Sequence, residues 1–188
     1  MLGTDLDHER DNARPEGAPM PSPISAIVPG GSPIAHHVHT HLAGSAAGID
    51  LFDRSADAQL DPDIGNTVRE MHGELVDERR RLRRMADDLG VGESKALTLA
   101  AQAGERLGRL KPNGSLTQRT DMTDLVELEA MRTAVAGKRA GWQALLSVVD
   151  VHPALDRAEL EDLVAQAESQ QDRLEQAHTQ AAARALVR

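Results

Sequence analysis

From about residue 34 onward, apolar residues recur every three or four positions, the spacing of one face of an α-helix. Over residues 35–59 the series is Val38, Leu42, Ile49, Phe52 and Ala56, with Ser45 filling the gap. The next element is the clearest. Asp61 is placed to cap a helix that has Pro62 at its first position, and Gly90 is placed to end it. Between them Ile64, Val68, Met71, Leu75, Leu82, Met85 and Leu89 form the stripe, interrupted by Glu78. A shorter helix is predicted over 92–110 and closed by the turn sequence Lys111-Pro112-Asn113-Gly114. Two long helices follow. One covers 121–149, with Leu125, Leu128, Val135, Trp142 and Leu145 on its apolar side. The other covers about 156–186, with Leu160, Leu163, Ala167, Leu174, Ala177 and Ala181 inward. His152-Pro153 marks the break between them.

Two of the links are short, so helices one and two, and helices three and four, are expected to pair as antiparallel hairpins. The connection between the hairpins is long. A helix over 92–110 would travel about 28 Å at 1.5 Å per residue, enough to return the chain to the end where helix two began. The prediction is an all-α, ferritin-like four-helix bundle with a short helix in the long crossover connection. An up-down bundle with an irregular fifth helix is the competing connectivity. The bundle is expected over residues 34–188. Residues 1–33 read as a disordered, acidic tail, because Pro15, Pro19, Pro21, Pro23, Pro29 and Pro33 break both helix and ladder.

Composition sharpens this picture in three ways. Phe52 and Trp142 are the only aromatic residues among Phe, Trp and Tyr. The scarcity of rings favours helix over strand and removes the base-stacking platforms of single-strand binders. The absence of cysteine excludes disulfides, thiolate nucleophiles and cysteine-ligated metals. A formal net charge of -9 makes nucleic acid an unexpected partner in general. No secretion signal and no membrane-length apolar run is visible, so the cytoplasm is the expected location.

Candidate chemistry lies where charge interrupts the stripes. Glu78 and Glu129 fall at positions that core residues should occupy. A buried carboxylate must be paired or protonated, and Arg132, Arg139 and His41 are its candidate partners in a buried ion network. Counting outward from the hairpin loops puts His41 level with Glu78, and Glu129 level with Glu175 and His178. Glu175-Gln176-Ala177-His178 is an ExxH pair, which sets a carboxylate and an imidazole on one helical face. A bundle di-metal centre takes two such pairs plus two further carboxylates. Only one pair is present, so His41, Glu78, Glu129, Glu175 and His178 are candidates for a diverged site for iron, manganese or zinc rather than for a complete centre. Glu74 with Asp77 could add oxygens.

The cluster His36, His37, His39 and His41, next to a helix start, reads as surface or cap, with adventitious zinc or nickel binding as the alternative. The run from Arg79 to Arg84 is the one strong basic patch, and it reads as a solvated face with phosphate or nucleic-acid contact as the competing use. Gly44 and Gly48 bound a nearly side-chain-free segment, for which close approach of a neighbouring helix or a bound group is expected.

Four segments carry a resemblance: residues 41–48 (HLAGSAAG), 108–114 (GRLKPNG), 125–130 (LVELEA) and 137–142 (GKRAGW). Through them the body is similar to an uncharacterised family of actinobacterial proteins with a ferritin-like helical fold. The resemblance implies the fold and no particular chemistry. The expected function is that of a non-catalytic structural or protein-interaction bundle with no cofactor; the alternative is a ferritin-like metal-binding protein or oxidoreductase that uses the diverged carboxylate and histidine site. Self-association or a protein partner is the expected mode of action, and no membrane is involved.

Overall fold

The computed structural model describes residues 32–91 and 119–187. Four α-helices make up the described body: α1 (Pro33–Ala56), α2 (Pro62–Asp88), α3 (Asp121–Leu146) and α4 (Arg157–Ala185). A 3-10 turn at Val149–Val151 lies in the α3–α4 link. The tail expected over 1–33 falls almost wholly outside the described residues, and so does the short helix expected over 92–110.

Local chemistry sets most helix ends. Asp61 accepts the backbone N–H of Asp63 at 2.9 Å and that of Ile64 at 3.4 Å, and Pro62 takes the first helical position. Gly90 closes α2 in the left-handed region, at φ 67°, and the Val91 N–H donates back to the Ala86 carbonyl at 2.8 Å. Thr120 and Thr123 cap α3 reciprocally, and Asp156 accepts the Glu159 N–H at 2.9 Å to start α4. α1 and α3 each stop about three residues short of the span their stripes predict. Terminal turns carry few apolar positions, so the pattern cannot mark where they fray.

α1 packs along α2, and α3 along α4, over broad faces; α1 meets α3 and α2 meets α4 along narrower seams. Cross-links fix the directions. His37, early in α1, meets Gly141, late in α3. Arg81, late in α2, meets Glu159, early in α4. Thus α1 and α4 run one way, while α2 and α3 run the other from diagonal corners. A parallel α2 and α3 require the long crossover, and this is the ferritin-like connectivity.

The end that holds the α1–α2 link, here the upper end, is closed by a buried polar clamp. Asp124 is 0% exposed; it accepts the Leu60 N–H at 2.9 Å and Arg119 Nε at 2.5 Å. Glu127 beside it accepts Ser55 Oγ and Arg119 Nη2, each at 2.6 Å. Gly65 sits so close to the end of α1 that a Cβ there would lie 2.8 Å from the Ala56 carbonyl oxygen.

The core divides into two apolar clusters. The upper one gathers Phe52, Ile64, Val68, Met71, Leu128, Met131 and Leu174, and the lower one Val38, Leu82, Met85, Trp142, Leu160 and Leu163. Each such side chain contributes roughly 1.5–3 kcal/mol by leaving water. No described helix is long and apolar enough to cross a membrane.

Candidate functional site: a mid-bundle ion layer and the α1–α3 cleft

Between the two clusters the stripes carry polar residues, one on each of three helices. Glu78 follows Leu75 and precedes Leu82; Lys138 lies between Val135 and Trp142; Gln170 lies between Ala167 and Leu174. Each keeps the three-and-four spacing of its stripe, so all three must point inward. Glu78 is 2% exposed and the Lys138 side chain 16%. Lys138 Nζ donates to Glu78 Oε2 at 2.5 Å, across the diagonal of the bundle, and also to Gln170 Oε1. Gln170 Nε2 donates to Glu78 Oε1 at 2.8 Å and to Glu74 Oε2 at 2.7 Å. Arg173 Nη2 completes the layer on both oxygens of Glu74, at 2.8 and 2.6 Å.

The electrostatics follow from this geometry. Burial depresses the Lys138 ammonium, and the Glu78 carboxylate works against that. Burial pushes the Glu74 carboxyl up, but hydrogen bonds from Arg173 and Gln170 outweigh it and hold the group below the usual carboxylate range. The arrangement places a fixed, internal cation at mid-height among the carboxylates of the core.

The sequence candidates are therefore partly regrouped. Glu78 does belong to a buried ion network, but its cation is Lys138 rather than Arg132 or Arg139. Arg139 lies at the surface, where its Nη1 donates to Gln171 at 2.7 Å and its Nε stands 3.8 Å from Glu168. Glu129 is not a core residue: its side chain is 57% exposed. It faces His178 Nε2 at 3.5 Å, while Arg132 Nη1 donates to His178 Nδ1 at 3.2 Å. Glu175 is exposed on α4. The five candidate ligands His41, Glu78, Glu129, Glu175 and His178 are not brought together. Among the described residues no three His, Asp or Glu side chains converge to hold a metal ion.

His41 sits instead against α3, its ring on Gly141 and 4.5 Å from the His37 ring, centroid to centroid. Burial, then the neighbouring His37, lowers it to about 4. His39, expected at the surface with the rest of its cluster, is buried. Lys138 and Gln170 were missed by the sequence reading, although each is a polar residue in apolar register and could have been found by that signal. Their roles were hidden because nearby Arg132 and Arg139 offered equally plausible cations.

The arginine run is absorbed largely by the fold. Arg81 forks onto Glu159 at 2.9 Å and Asp162 at 2.8 Å, Arg84 reaches Glu159 at 3.4 Å, and Arg80 pairs with Asp77. Arg79 turns the other way: its Nη1 donates to the Leu42 carbonyl at 2.5 Å and to Ser45 Oγ on α1.

Beside this contact the narrow α1–α3 seam opens into a cleft of about 1180 Å³. Its lining includes Ile49, Phe52, Val126, Ala130, Ala134 and Trp142, with Glu78, Arg79 and Lys138 at its inner wall. Gly44 and Gly48 line it too. Among the described residues nothing outside α1 itself lies within 4 Å of where a Cβ would stand on either, so no described helix packs over them as expected and their missing side chains widen the cleft. Trp142 is 4% exposed and its indole N–H has no acceptor among the described residues. A buried donor left unpaired costs about 1–3 kcal/mol.

No family model, curated protein or solved structure matches this chain. The ferritin-like description accordingly rests on the connectivity and directions of the four helices.

Proposed function

We propose that this chain is a non-catalytic helical bundle that works by binding, with its polar layer serving to hold the helices in register and its α1–α3 side serving as the binding face. One observation carries the reading. The Lys138 ammonium already supplies the positive charge that the core carboxylates of a metallated bundle take from their ions. Both oxygens of Glu78 and of Glu74 already accept hydrogen bonds from Lys138, Gln170 and Arg173, so neither carboxylate of the layer is left unpaired. The donor set argues the same way at the surface, where Arg132 occupies the second ring nitrogen of His178. Membership of the uncharacterised family named above, and a place in the cytoplasm, belong to this proposal as well.

Elemental mass spectrometry on untagged protein purified without chelator tests it, with Glu78→Ala, Glu129→Ala and His178→Ala alongside. Substoichiometric metal, equal in all four proteins, together with a lowered melting temperature in Glu78→Ala alone, is the expected result. Near-stoichiometric iron, manganese or zinc that Glu78→Ala loses would overturn the reading and restore an oxidoreductase.

A further inference from the structure

We propose that the α1–α3 cleft is a binding site for a single-chain amphipathic carboxylic acid, with the carboxylate on Arg79 and the alkyl chain running toward Phe52 and Val126. The proposal rests on the binding reading above and names the ligand class of the same face.

Size and polarity set the tail. The cleft holds about 1180 Å³, somewhat above the roughly 300–1,000 Å³ of pockets that enclose a small organic molecule. From Thr40 to Phe52 the α1 wall is about 18 Å long at 1.5 Å per residue, so the site is elongated. Toward its upper end it is walled by Ile49, Phe52, Met122 and Val126, and the last two are large apolar residues left exposed to solvent. Covering them is favourable by roughly 25 cal/mol per Å².

Charge sets the head group. Of the charges along the inner wall, Glu78 is cancelled by Lys138 and Glu127 by Arg119. Arg79 has no carboxylate within ion-pair range among the described residues; Asp50 acts on it only from farther away. One nitrogen of its guanidinium is tied to α1, which fixes the group while leaving its other N–H donors for a carboxylate. The unpaired indole N–H of Trp142, from the cluster that also holds Leu42 and Leu82, supplies a second donor in the same part of the cleft. Arg54, at the far rim, is solvent-exposed. An anion gains less there than at the half-buried Arg79.

Trp142 is the only tryptophan of the chain, so its fluorescence reports on the cleft directly. Dodecanoic acid and dodecan-1-ol, both kept below their aggregation thresholds, would be titrated into the full chain by fluorescence and calorimetry. Expected are saturable one-to-one binding of the acid and a preference over the alcohol of at least about tenfold, the worth of one charge-assisted contact. Arg79→Gln should abolish that preference. Gly48→Leu, which has open space for its side chain, should weaken both ligands while helix content and melting temperature stay at or above those of the parent.

Equal binding of acid and alcohol would overturn the carboxylate assignment and leave the binding reading standing. Undiminished binding in Gly48→Leu would overturn the location. Binding of neither probe, with Gly48→Leu melting lower than the parent, would mean that the chain itself fills the cleft and would overturn the proposal. The metal measurement above reports on the underlying reading independently of all of these.

Discussion

A Cβ at Gly141 would lie 2.6 Å from Nε2 and 2.7 Å from Nδ1 of His41, and the ring cannot simply swing aside, because His37 stands against it. The His37 ring is itself held by the Gly141 carbonyl at 3.2 Å. Glycine at 141 therefore permits the α1–α3 contact at this level. Gly141→Ala should cost about 1–3 kcal/mol, the usual penalty for overpacking a filled site. Urea denaturation of Gly141→Ala, His41→Ala and the double variant checks the cause. If the ring is the obstacle, the double variant is more stable than the sum of the single losses predicts. Additive losses would place the strain elsewhere. None of this was legible in the sequence, where Gly141 is one of several glycines and its partner lies on another helix. By contrast, the misfit of Glu78 in an apolar stripe was plain, because its own neighbours Leu75 and Leu82 fix its direction.

The helices themselves were legible wherever a cap accompanied the stripe. Asp61-Pro62 and Gly90 bracket α2 as the sequence requires, and the stripes of α3 and α4 predict most of their buried residues. The pairing of charges between helices was not legible, because it depends on how each helix is rotated about its axis. Arg132 and Arg139 flank the α3 stripe, whereas Lys138 lies in it, and the difference is a fraction of one turn. The element-scale prediction follows from that placement. Lys138→Met removes the cation and leaves Glu78 buried with Gln170 alone, which should destabilise the bundle by about 3–5 kcal/mol. Replacing the whole layer, with Lys138→Met, Glu78→Leu and Gln170→Leu together, should recover much of that loss, since a fully apolar layer has no stranded charge. Glu74 and Arg173 keep each other in that variant. Chemical denaturation of the two proteins decides it: equal losses in the single and triple variants would show that the layer does more than neutralise itself.

At the scale of the whole molecule, ion pairs reinforce the narrow α2–α4 seam beside its apolar contacts. Between α2 and α4 stand Glu74–Arg173 at 2.6 Å and the fork of Arg81 on Glu159 and Asp162; at the upper end Arg184 pairs with Asp61. Acid therefore undoes the bundle in two stages. His41 is lowered to about 4 in the folded chain, by burial and then by His37, against its usual value of 6.5. Between those values the unfolded chain binds the proton and the folded chain does not, so stability falls as pH drops through this window. The loss by pH 4 should be on the order of 1–2 kcal/mol, after allowing for the partial exposure of the ring. Burial works to raise Asp61 and Glu74. Backbone N–H groups and Arg184 outweigh it at Asp61, and Arg173 and Gln170 do so at Glu74, so both lie below their usual range. Their contribution is present above the ordinary carboxylate range and is lost as pH falls through their lowered folded values, which is the second stage. Urea titrations from pH 7 to pH 3 should show the decline beginning below about 6.5. His41→Gln should flatten the first stage and leave the second in place. A parent protein whose stability is constant down to pH 4.5 would mean that the His41 ring takes up its proton in the folded bundle as readily as in the open chain, and the packing of α1 against Gly141 would then have to be looser than the ring contact implies.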